Sequence, residues 1–128
     1  MSISPQQRLR SVRGATTATD NSAAAITEAS AELLGALLTV NGLDRAAIVS
    51  IVFTATGDLT AEFPAAGAHA VGLSDVSLLC AQEVAVPGAV AHCIRVLIHL
   101  YSDREALEPV YLRGARDLRA RSKAQGDT

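Results

Sequence analysis

Apolar residues recur along this chain with two different periods. Ile26, Ala29, Leu33, Leu37 and Val40 return at steps of three and four, which puts them on one face of an amphipathic helix. Asp20-Asn21-Ser22 offers N-capping side chains ahead of that stretch, and Asn41-Gly42 supplies a left-handed end. Elsewhere the apolar residues form short β-branched runs. The run 48–55 (IVSIVFTA), closed by Thr56-Gly57-Asp58, predicts a buried strand. Residues 76–81 predict a second, and 93–101 (CIRVLIHLY) a third with Arg95 and His99 on one face by two-residue alternation. Shorter strands are expected at 12–17 and, as an edge, at 110–112. A short helix is expected to begin near Pro64, a turn at Pro87-Gly88, and a turn of helix within 103–108. One long helix, one short helix and several strands make an α+β domain.

Composition narrows the class. The 128 residues are 49% hydrophobic, 19% charged and 3% aromatic, with a formal net charge of −2. The apolar fraction suits one folded domain rather than a disordered chain. A general nucleic-acid binder needs a basic stripe and stacking aromatics; neither is evident, so no nucleic-acid partner is expected. The N-terminal MSISPQQRLRSVRG has no signal-like apolar run, and no stretch is read as approaching the ~20 residues of a membrane span. Cys80 and Cys93 are too few for a disulfide framework, and His69, His92 and His99 lack zinc spacing. A cytoplasmic protein with reduced thiols and no bound metal is the expectation. Residues 1–11 and 120–128 are read as flexible tails around a domain at 12–119.

A few polar residues fit this pattern poorly. Arg95 interrupts an apolar strand, where an unpaired charge is costly. Glu83 ends the neighbouring run; either the two form a plain ion pair, or both line one pocket that accepts an anion and a hydroxyl. Arg13 precedes Gly14, where backbone could approach a ligand closely. Taken alone, Arg13 reads as a surface strand residue, Cys80 as a small core residue, Tyr111 as a cover on the core edge, and the basic run 113–123 as a solvated tail. Phosphate-loop, dinucleotide-binding, GxSxG, HExxH and CxxC motifs are absent, so chemistry needing neither cofactor nor covalent intermediate is expected.

Five segments carry a resemblance: VRGATT from Val12, FTATGDLTAEFPA from Phe53, CAQEVAVPG from Cys80, CIRVL from Cys93 and VYLRGARDLR from Val110. In this order and spacing they resemble the small monofunctional chorismate mutases that assemble as trimers. The resemblance implies a mixed sheet with one long helix, a homotrimer forming a pseudo-α/β-barrel, and sites in clefts between subunits. It implies cofactor-free Claisen rearrangement of chorismate to prephenate. Arg95 would stabilise the breaking ether oxygen, and Glu83 would accept a hydrogen bond from the ring hydroxyl with Cys80 beside it. Arg13 would hold a carboxylate and Tyr111 would add a hydrogen bond. Phe63 and Ala65 would shape the wall, and Leu118 and Arg119 would close over the substrate. Ala66 and His69 stand where the family carries basic residues. The alternatives are a relative acting on another chorismate-type substrate, or giving another product, and a non-catalytic trimeric binding module.

Overall fold

The computed structural model describes residues 6–118, so Arg119 lies outside the described residues. The elements run β1 (Arg8–Thr17), α1 (Ala23–Asn41), β2 (Ile48–Ala55), α2 (Ala66–Ala70), β3 (Ser77–Gln82), β4 (Cys93–Ser102) and β5 (Val110–Tyr111). Short 3₁₀ turns occupy Arg45–Ala47 and Arg113–Ala115. The five strands form one mixed sheet in the order β3-β2-β4-β1-β5. β4 is central and antiparallel to both neighbours, while β3 and β5 join the edges in parallel with β2 and β1.

Ser22 caps α1 by accepting from the Ala25 N–H at 3.1 Å, and Gly42 ends it in the left-handed conformation at φ 57°. At 19 residues and mean hydropathy 1.4, α1 is long and apolar enough by length and composition to cross a membrane, contrary to the sequence expectation. In the fold, however, α1 is a core helix: Ile26, Ala29, Leu33, Leu34, Leu37 and Leu38 are buried. The stripe drifts toward Leu34, Leu38 and Asn41, so Val40 points outward, 53% exposed, rather than extending the apolar face. The opposing sheet face presents Val12, Ile51, Phe53, Ile94, Val96 and Ile98, all buried. Alternation sends their neighbours, Arg13, Val52, Thr54, Arg95, Leu97 and His99, to the face that neither helix covers. On that face the Nδ1 of His99 lies 3.1 Å from Ser50 Oγ.

Two local expectations change. β1 starts at Arg8 rather than Val12, because its first residues pair with the far end of β4, Arg8 opposite Ser102. Residues 103–108 form no helix: the Glu108 N–H donates to the buried Asn41 side chain at 2.6 Å, and Arg10 donates to the carbonyls of Arg104 and Glu105. Gly14 keeps its place at the cavity formed by Arg13, Glu83 and Arg95, and it serves packing as well. A Cβ there would stand 2.8 Å from the Val110 carbonyl and about 3 Å from Leu33 and Leu37.

A Cβ at Gly67 would lie 2.5 Å from Ser30 Oγ and 2.6 Å from the Ala31 nitrogen, so the close approach of α2 to α1 requires a glycine there. Gly67→Ala is expected to destabilise by about 1–3 kcal/mol through overpacking. Gly35→Ala, within α1 and with nothing within 4 Å, should instead stabilise by about 0.4–1 kcal/mol. Urea midpoints of the two variants check both signs.

Candidate active site

The uncovered sheet face gathers charged residues from three separate stretches of chain. Arg13, Thr54, Glu83, Arg95, Leu97 and Tyr111 line a cavity of about 330 Å³. Strand register explains the grouping: Arg95 sits opposite Thr54 on β2 and opposite Ala15 on β1, and Ala15 pairs with Tyr111 on β5. A small residue between Arg95 and Tyr111 leaves room above the sheet. Arg13 is one pleat further along β1, opposite Leu97.

Glu83 is fixed by its backbone as well as its side chain. Its N–H donates to the Ala55 carbonyl at 2.9 Å, extending the β2–β3 pairing by one residue. Its carboxylate accepts a hydrogen bond from the Thr54 hydroxyl and lies 3.6 Å from Arg95 Nε. Arg95 is therefore not a buried charge in a core strand. Its side chain is 50% exposed against 23% for Glu83, and the ion pair holds the guanidinium over the cavity. Two guanidinium groups and one carboxylate leave the pocket net positive, suited to an anionic ligand. Thr54 was not singled out in the sequence; the available signal was a polar residue at an outward position of a β-branched strand.

The start of β4 has its own clasp. Asp58 accepts the His92 N–H at 2.9 Å and the Thr56 hydroxyl at 2.5 Å, and Thr56 Oγ1 accepts the Cys93 N–H at 2.9 Å. His92 adopts φ 52°, a left-handed conformation unusual outside glycine, held by these bonds. Partial burial pushes the Asp58 carboxyl upward, but hydrogen bonds from Thr56 and the His92 backbone and the nearby His92 side chain outweigh it, leaving the group below its usual range. Burial pushes the Cys93 thiol up despite the neighbouring Arg95.

The remaining predicted residues lie elsewhere. Phe63, Ala65 and Cys80 line a separate cleft of about 510 Å³ at the β3 edge, together with His69 and Leu78. Cys80 pairs with Phe53 and packs toward the helix-covered core, so it is not beside Glu83 in the same chain. Phe63 is 70% exposed. Leu118 is buried with Ala15, Cys93 and Ala115 at the end of the arginine pocket, and Tyr111 packs against that cluster. Among the described residues, no three His, Cys, Asp or Glu side chains gather in a metal-binding group.

The family model described as chorismate mutase type I matches residues 9–121. The chain is 40% identical over 114 residues to Chorismate mutase AroH of Thermus thermophilus, covering 87% of this chain and 93% of that protein. It is 32% identical over 107 residues to Chorismate mutase AroH of Bacillus subtilis, covering 81% and 84%. A solved structure, chorismate mutase from Clostridium thermocellum, superposes with a TM-score of 0.82 at 41% identity, covering 84% of this chain and 98% of the other.

Because the Asp58 carboxyl is held low, its ionised form contributes stability above the ordinary carboxylate range, near pH ~4, and that contribution is lost as pH falls through the folded value. Asp58→Asn should therefore lower the urea midpoint at pH 7, and the gap to the parent protein should narrow below about pH 4. A gap that is constant from pH 7 to pH 3 would contradict this role.

Proposed function

The chain belongs to the type I chorismate mutase family, and we propose that it rearranges chorismate to prephenate with Arg95 and Glu83 as its catalytic groups. The observation that carries this reading is the pocket on the uncovered sheet face, where two guanidinium groups and one carboxylate converge. The reaction is an intramolecular Claisen rearrangement: one carbon–oxygen bond breaks, one carbon–carbon bond forms, and nothing is transferred to the protein. Catalysis then consists of holding a flexible dianion in its reactive shape and stabilising charge as it develops. Arg95 donates to the ether oxygen, where negative charge accumulates as the bond breaks. Its pairing with Glu83 fixes the guanidinium before substrate arrives, so little reorganisation is needed at the barrier. Glu83, itself oriented by Thr54, accepts from the ring hydroxyl. Arg13 binds a carboxylate and Tyr111 adds a hydrogen bond, while Leu118 supports the far wall. Arg119 is assigned a closing role over the substrate from the family resemblance alone.

Phe63, Ala65 and Cys80 enter through assembly. Within one chain they occupy a different cleft from Arg95, while the arginine-bearing sheet face is the one that neither α1 nor α2 covers. A homotrimer in which the β3-edge cleft of one subunit faces the arginine pocket of the next would join the two sets, with sites between subunits. We place the enzyme in the cytoplasm, supplying prephenate for aromatic amino-acid synthesis. No cofactor or metal takes part in this scheme.

Following chorismate absorbance while identifying the product tests the reaction. Prephenate is the expected product; another product selects a relative of different specificity, and binding without turnover selects a non-catalytic module. Arg95→Ala should fold normally and lose more than about a hundredfold in kcat, the scale of one lost transition-state donor. Near-normal turnover in that variant removes Arg95 from the mechanism. Light scattering should report a trimer, and a fully active monomer would rule out the shared site.

A further inference from the structure

Arg113 opens the basic run that sequence reading assigns to a solvated tail, yet its side chain is only 25% exposed and each guanidinium nitrogen has a partner. Nε lies 3.1 Å from Glu32 Oε1 and Nη2 3.5 Å from Glu32 Oε2, a fork onto one carboxylate. Nη2 also reaches Glu28 Oε1 at 3.5 Å, and Nη1 donates to the Thr17 carbonyl at 3.3 Å. Glu28 and Glu32 stand four apart on α1, so two like charges share one helix face and repel unless a cation lies between them. A forked network of this kind is the setting in which a partly exposed ion pair contributes.

The backbone at Arg113 makes the same point. Its φ of 51° is left-handed, a conformation that persists in a residue with a side chain only when the surroundings impose it. The Gly114 N–H donates to Thr17 Oγ1 at 3.1 Å, and the Leu112 N–H to the Ala15 carbonyl at 2.9 Å. At this corner the chain passes from the α1 side of the sheet to the pocket side. Tyr111, just before it, lines the arginine pocket. Ala115 and Leu118, just after it, are buried against Ala15 and Cys93.

We propose that Arg113 is a positioning residue: its ion pairs with Glu28 and Glu32 tie the turn after β5 to α1 and so hold Tyr111 and Leu118 at the arginine pocket. The proposal rests on the reaction assigned above. Arg113 lines neither the pocket nor the β3-edge cleft, so its loss weakens the assembly of the binding surface and leaves the bond-breaking step with Arg95. That predicts a change in KM more than in kcat.

The test uses the full chain and three variants. Glu28→Gln combined with Glu32→Gln removes the carboxylates and leaves the corner's own sequence intact. Arg113→Gly keeps access to the left-handed backbone while deleting the guanidinium. Arg113→Lys keeps the charge but not the fork. The first two should raise KM for chorismate about five- to tenfold with kcat within about twofold, and Lys should recover part of the loss. Amide exchange at Leu112, Gly114 and Ala115 should accelerate in the same variants while β2 amides keep their protection. Unchanged KM and unchanged exchange would overturn the proposal. So would a fall in kcat that tracks a general loss of protection, since that marks a merely structural clamp. A parent protein that makes no prephenate defeats the assigned reaction instead, and exchange at the corner then decides by itself whether Arg113 holds it.

Discussion

A single long helix can cover only one face of a five-stranded sheet, and the organisation of this molecule depends on how closely α1 lies against that face. Contact is made where side chains are missing or small: Gly14 lets Leu33 and Leu37 reach the sheet, and Gly67 lets α2 touch the α1 backbone. Burying the aliphatic stripe of α1 against Ile51, Phe53, Val96 and Ile98 uses the sheet's inward positions completely. Alternation then fixes the destination of every intervening side chain. Arg13, Thr54 and Arg95 reach the opposite face because their neighbours are required by the core.

That separation resolves the apparent difficulty of an arginine in an apolar strand. On the face that α1 and α2 leave uncovered, the guanidinium keeps contact with solvent and escapes the desolvation penalty of a core position. Glu83 and Thr54 restrict its orientation without neutralising the pocket. The same geometry leaves the Phe63–Cys80 cleft at a sheet edge rather than over the arginines. Phe63, Leu79 and Val84 leave apolar surface exposed in the single chain.

Stability and chemistry meet at two junctions. The Asp58–Thr56 clasp sets where β4 begins, two residues before Arg95, and the Arg113 corner sets how the chain leaves β5 beside Tyr111. Both contain a non-glycine residue in the left-handed region, held by hydrogen bonds or ion pairs that span long stretches of sequence. The sheet fixes the direction in which the functional side chains point, and these junctions fix how far along it they sit.

Periodicity by itself determined α1, β2, β3 and β4 nearly to their ends, because each has a strong apolar repeat and recognisable caps or turn residues. It also singled out Arg95 and Glu83, as charges standing where a repeat asks for apolar side chains, and the ordered motifs indicated the family. Only the tertiary structure decided which side of the sheet those charges occupy, that Gly14 serves helix packing, that residues 103–108 bond to Asn41 and Arg10 instead of to one another, and that Arg113 belongs to an ion-pair network rather than a tail. The reason is common to all four. Each depends on groups distant in sequence, such as Arg113 with Glu28 and Glu32 or Asn41 with Glu108, and a repeat of two or 3.6 residues carries no information about partners that only folding brings together.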